Sequence, residues 1–98
     1  MRILFDSKLS QFKTPFGVLR PGERCTMHIQ IPVSCRTRQV ELLLLREASE
    51  PEREISMQRG AVGELYESYG CTFALEQAGL FFYCFRITTE NEQFRLYK

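Results

Sequence analysis

Gly79-Leu80-Phe81-Phe82-Tyr83-Cys84-Phe85-Arg86-Ile87-Thr88 is the stretch on which the fold turns. A glycine interrupts the preceding segment, and a run dense in aromatic and β-branched residues follows, the composition of a strand. The run is apolar at both parities. Phe81, Tyr83, Phe85 and Ile87 fall on one face, and Leu80, Phe82 and Cys84 on the other. A strand of a small antiparallel sheet needs one apolar face, because the other meets water. Two apolar faces require a second cover on the outer side, from this chain or from a neighbour.

Working outward, the cleanest alternation is Cys25, Met27, Ile29, Ile31 and Val33 against Thr26, His28, Gln30 and Pro32, a half-buried strand with His28 facing out. Pro32 cannot donate a ladder hydrogen bond, so the strand ends or lies at an edge there. The run Val40-Glu41-Leu42-Leu43-Leu44-Leu45 has helix-forming composition. It is short, though, and the polar residues 48–52 follow as a turn, so a strand fits better. Ile55 and Met57 alternate in a return strand over 53–59, and Gly60 and Gly63 bracket a turn. Leu65, Tyr69, Cys71, Phe73 and Leu75 share one parity, with Gly70 as a candidate bulge; residues 93–97 close the chain. Six or seven short strands with almost no helix predict an all-β fold, an immunoglobulin-like antiparallel β-sandwich of about seven strands. Residues 1–98 are expected to form a single domain.

Composition excludes several classes of function. Thirteen basic and 12 acidic residues leave a net charge of +1, interleaved along the chain, which gives no footprint for nucleic acid or an anionic membrane. No apolar run approaches the ~18 residues of a membrane span. Asp6 and Lys8 interrupt any signal-peptide core, so the cytoplasm is the expected location. The four cysteines, Cys25, Cys35, Cys71 and Cys84, include no C-x-x-C pair to grip a metal and are expected to be reduced. Cys71 and Cys84 flank the 76–79 connection and are placed to come close. Neither metal nor cofactor is implied. With one histidine on an outward strand face, a Ser–His–Asp or Cys–His arrangement has no basis. Glu50, Glu52 and Glu54 read as a solvated turn rather than a catalytic pair, so the segment is expected to be non-catalytic.

Several short motifs occur in order. Lys13-Thr14-Pro15-Phe16-Gly17 stands near the start, and Pro21-Gly22 leads into the first clear strand. A charged hairpin covers 46–54, and a late Gly79-Leu80-Phe81-Phe82-Tyr83-Cys84-Phe85 strand follows. The set resembles the N-terminal immunoglobulin-like domain that precedes the catalytic barrel of bacterial α-amylase-family glycosidases of the neopullulanase and pullulanase type. The resemblance spans nearly the whole chain, and none of its motifs is a catalytic signature. It implies an accessory domain whose partner is the (β/α)₈ barrel of the same polypeptide, with catalytic carboxylates beyond this segment.

Three functions then compete. A docking or dimerisation module would use an outer apolar patch of Phe82, Cys84, Leu43 and Leu45. An α-glucan-binding module would use exposed rings, and with no Trp in the chain the platforms are Tyr66, Tyr69, Phe12 and Phe16, with Phe82 from the outer patch. Tyr66 has the best polar company, in Glu64, Glu67 and Ser68. A free-standing immunoglobulin-like adaptor is the third.

Overall fold

The computed structural model describes residues 2–6, 12–14, 21–45, 51–74 and 82–97. Within them the chain is all-β, and every strand pairing is antiparallel. The strands are β1 (Lys13–Thr14), β2 (Arg24–Pro32), β3 (Thr37–Leu45), β4 (Pro51–Val62), β5 (Tyr66–Ala74), β6 (Phe82–Thr89) and β7 (Gln93–Tyr97). They form one sheet in the order β1-β2-β5-β4-β3-β6-β7. Six are full strands, and β1 is a two-residue rung. No described helix is long and apolar enough to cross a membrane. Phe16, residues 46–50, Leu75 and the Gly79–Leu80–Phe81 opening of the aromatic run lie outside the described residues.

Strand β4 makes the sheet curl. Its first half pairs with β3, from Leu45↔Pro51 to Val40↔Met57. Its second half pairs with β5 at Gln58↔Gly70 and Arg59↔Tyr69, then shifts register before Val62↔Glu67. One strand therefore belongs to both halves of the sheet, and the irregularity beyond Arg59 bends it. This corrects the sequence reading, which ended the strand at Arg59, placed Pro51 and Glu52 in a turn and took Gly60 as turn. Gly60 lies inside β4 because an irregular, twisted strand position tolerates a missing side chain.

The curl encloses one core. Cys25, Met27, Ile29 and Ile31 from β2 meet Val40, Leu42 and Leu44 from β3, Met57 from β4, Tyr69 and Phe73 from β5, and Phe85 and Ile87 from β6. The period-2 reading of β2 is thus realised, with His28 exposed between buried neighbours. Leu65 departs from its expected inward parity and is exposed, because it lies in the bend before β5 rather than in the strand. Gly70 is not a bulge either. It sits in regular register opposite both His28 and Gln58.

The N-terminal segment contributes more than its composition suggested. Leu4 and Gln30 exchange backbone hydrogen bonds of 2.8 and 3.0 Å, which delivers Phe5 into the core. Its ring centroid lies 4.9 Å from Phe85, and 6.0 Å from both Phe12 and Tyr83, tilted or edge-on as aromatic quadrupoles prefer. At the β2–β3 corner a single 3-10 turn, Val33–Cys35, ends on Arg36 at φ 53°, ψ 55°. That left-handed conformation disfavours a side chain. Here it turns the chain so that the Arg36 amide donates to the Val33 carbonyl at 3.2 Å.

Candidate functional site

The outer face of β3, β6 and β7 carries the apolar residues singled out in the sequence. Register places Leu43 opposite Cys84, Cys84 opposite Tyr97, and Leu45 opposite Phe82, so Phe82, Cys84, Leu43 and Leu45 share one face, opposite to the core. Three of the four are already covered. Leu43 and Cys84 are fully buried and Leu45 nearly so. Phe82 is 58% exposed and Tyr97 62%.

An ion-pair strap is part of that cover. Arg86 on β6 makes a bidentate pair with Glu41 on β3, at 3.1 and 2.7 Å, and reaches Glu54 on β4 at 2.9 Å. Since β3 lies between β4 and β6, the Arg86–Glu54 bond crosses over β3 beside Leu43. Long charged side chains shield apolar surface in this way, with stems on the patch and heads in water. The two carboxylates raise the Arg86 pKa, chiefly through the hydrogen bonds that Arg86 donates to Glu41. Burial, above all, pushes the Cys84 thiol up; it is a packed hydrophobe rather than a nucleophile. What remains for a partner is a smaller apolar site, two aromatic rings at the margin of a sealed patch.

The rings considered for sugar contact fare differently. Phe12 is buried in the core and Tyr69 is 3% exposed, so neither offers a face for stacking. This is a correction with a polar cause in the case of Tyr69. Its hydroxyl accepts from Arg59 Nε and Nη2 at 3.2 and 3.0 Å and donates to Glu67 Oε1 at 3.0 Å. Arg59 also donates to the Thr37 carbonyl at 2.9 Å and pairs with Glu67 at 3.5 Å. Burial is the largest influence on the Tyr69 phenol and raises its pKa. The cluster fastens β3, β4 and β5 where the sheet bends. Glu67 and Tyr69, two residues apart on β5, share a face. The partners from β3 and β4 were invisible, because they depend on how β4 crosses between the halves. Tyr66 is half-buried.

A third feature was not anticipated. The outer face of β2, β5 and β4 holds an open groove of about 550 Å³ whose floor is made by small residues, with Gly60 and Gly70 next to Thr26, Ser68 and Thr72. The His28 imidazole lies across Gly70, so close that a methyl there would stand 2.5 Å from Cδ2. Among the described residues no carboxylate lines the groove. His28 therefore has no acidic partner there to orient it for acid–base work. Nearby, burial pushes the Cys71 thiol up to about 11. The neighbouring thiol is Cys25 rather than Cys84, which lies across the sheet on the opposite face. None of the four cysteines, all among the described residues, is in a disulfide.

Among the described residues no three histidine, cysteine or acidic side chains gather to hold a metal ion. Glu41 and Glu54 both face Arg86, and Glu67 is tied to Tyr69 and Arg59. No family model matches the chain, and no curated protein or solved structure matches it.

Proposed function

We propose that the chain is a non-catalytic docking module with immunoglobulin-like topology, of the kind that precedes the catalytic barrel of α-amylase-family glycosidases. Two strand groups support the topology. The order β1-β2-β5-β4 followed by β3-β6-β7, joined through β4 and β3 into one sheet, resembles the A-B-E-D and C-F-G strand order of a constant-type immunoglobulin sandwich. The aromatic run quoted from the sequence then takes the place of strand F.

The observation that carries the docking role is the outer face of β6 and β7, where Phe82 and Tyr97 stand exposed beside Leu43, Leu45 and Cys84. Exposed aromatic rings at the margin of a buried patch, with arginines nearby, have the composition of interface anchors. The partner is the barrel of the same polypeptide or a second copy of the chain, and α-glucan enters as the substrate of that barrel. In the cytoplasm, where this reading puts the chain, its four thiols stay reduced. The glucan-binding alternative loses ground with Phe12 and Tyr69 withdrawn into the interior.

Phe82→Ser and Tyr97→Ser test the reading. Both should leave the thermal unfolding midpoint within a few degrees, while lowering self-association in sedimentation, or affinity for an added barrel domain, at least about tenfold, as loss of an anchor does. Unchanged association in both variants would refute the docking face. Saturable maltooligosaccharide-induced amide shifts around Tyr66 would favour the glucan-binding alternative.

A further inference from the structure

The two ends of the sheet are finished differently. At one end the edge of β2 is covered by β1, at Lys13↔Met27 and Thr14↔Thr26, and by the Leu4↔Gln30 bridge. At the other end β7 closes the order and, among the described residues, pairs with β6 alone, in unbroken register from Cys84↔Tyr97 to Thr88↔Gln93. Edges are ordinarily blunted by proline, bulges, inward charges or shortness. Strand β7, Gln-Phe-Arg-Leu-Tyr, has no proline and no bulge, and its inward residues Phe94 and Leu96 are apolar.

The ladder settles which backbone groups this edge presents. The Thr89 amide donates to the Glu92 carbonyl at 2.8 Å, which makes 89 and 92 a hydrogen-bonded pair. Such pairs recur every second residue, so Phe94 and Leu96 turn their amides and carbonyls toward Ile87 and Phe85. Gln93, Arg95 and Tyr97 turn theirs to the outer edge, which no described strand covers.

Charge shows what would fit there. On the outer face one cross-strand row runs Glu41, Arg86, Arg95. Arg86 is matched by Glu41 and Glu54. Arg95 stands directly opposite Arg86, and the influences on it are the Tyr97 phenol, the Cys84 thiol and Arg86, with no carboxylate among the described residues. The row ends on an uncompensated cation at the edge. A second copy of β7 in full antiparallel register would set Arg95 against Arg95, which like-charge repulsion opposes.

We infer that the β7 edge accepts an added antiparallel strand from a partner protein, with an acidic residue opposite Arg95 and apolar residues on either side of it. The acidic side chain completes the Glu41–Arg86–Arg95 row. Its two neighbours face Phe94 and Leu96, both only partly buried, and extend the core by one strand. Main-chain bonds to Gln93, Arg95 and Tyr97 supply affinity, and the alternate side chains supply selection, as in other strand additions. The inference does not depend on kinship with glycosidases or on the Phe82 face.

The probe is the peptide Phe-Val-Glu-Val-Thr, capped at both ends, which aligns its Glu with Arg95 and its Val residues with Leu96 and Phe94. Titrated into the isotopically labelled 98-residue chain, it should saturate at millimolar concentration or below. The amides of Gln93, Arg95 and Tyr97 should shift and gain exchange protection, with smaller changes at Phe94 and Leu96. Replacing the peptide Glu by Lys should weaken binding about fivefold or more, from the ion-pair range plus repulsion, and Arg95→Glu in the chain should reverse the preference. Absence of saturation, shifts centred away from β7, or equal affinity of the Glu and Lys peptides would each overturn the inference.

Discussion

Removing one oxygen atom, by Tyr69→Phe, tests the claim that the sheet is fastened at its bend. The phenol carries a single hydrogen, which it spends on Glu67 Oε1 at 3.0 Å rather than on the Thr37 carbonyl at 3.4 Å; its lone pairs receive Arg59. The variant therefore forfeits one bond to a carboxylate and two from a guanidinium. Glu67, only 7% exposed, keeps among the described residues just the 3.5 Å contact with Arg59, whose own side chain is half in solvent. A hydrogen bond to a charged group is worth about 1.5–3 kcal/mol, and stranding a buried acceptor costs a comparable amount. Overlap between the two gives a loss of about 2–4 kcal/mol, a large part of the ~5–15 kcal/mol expected for a domain. Urea unfolding followed by tyrosine fluorescence and circular dichroism measures it, with an unchanged m-value if both halves still unfold together. Glu67→Gln keeps an acceptor for the phenol and should cost about 1 kcal/mol or less. In that background Tyr69→Phe should cost about 1 kcal/mol less than in the wild type, since an amide is cheaper to strand than a carboxylate. A Tyr69→Phe variant within 0.5 kcal/mol of wild type, a value on the order of measurement error, would show that the cluster is incidental to the fold.

Two other outcomes follow from the groove. The folded Cys71 thiol has its pKa raised to about 11 against an unfolded value near 8.5, so the folded state holds the proton more tightly; stability should be intact below about pH 8.5 and decline as pH rises toward 11, by about 1.4 kcal/mol per unit at most. Cys71→Ala should flatten that alkaline slope in urea melts, and an unchanged slope would locate the titration elsewhere. Gly70→Ala should destabilise the wild type by displacing the His28 ring, but in a His28→Ala background it should stabilise by about 0.5–1 kcal/mol, the ordinary gain of replacing a strand glycine; calorimetry on the four proteins of the cycle would show no coupling if the ring contact does not matter.

What was legible in the sequence was whatever a single strand declares about itself. Alternation located the buried face of β2, and the double apolarity of the leucine and aromatic runs correctly separated Leu42, Leu44 and Phe85 from Leu43, Leu45 and Cys84. Those parities follow from the pleat alone. What was not legible depended on relations between strands. Glycine is ordinarily turn punctuation, yet Gly60 continues β4 because the strand must bend while keeping its partners. Leu65 was assigned inward from parity, but parity has meaning only inside a strand, and Leu65 precedes one. Phe5 carries no local signal, since a lone bridge to Gln30 places it. The Arg86 strap needed three adjacent strands to be known before its two carboxylates could be named, and with it the fate of Leu43.

The position of β4 also shapes how the chain reaches its native state. Strands β3, β4 and β5 follow one another and form the middle of the sheet, so their contacts close short loops. The flanking strands arrive from afar by nearly equal detours: Thr26 on β2 meets Thr72 across 46 residues, and Arg86 on β6 meets Glu41 across 45. Loop-closure entropy grows only with the logarithm of length, so neither flank has an entropic head start. The chain should thus assemble from a central meander along two parallel routes, β2 first or β6 first, at the unhurried pace of non-local β topologies.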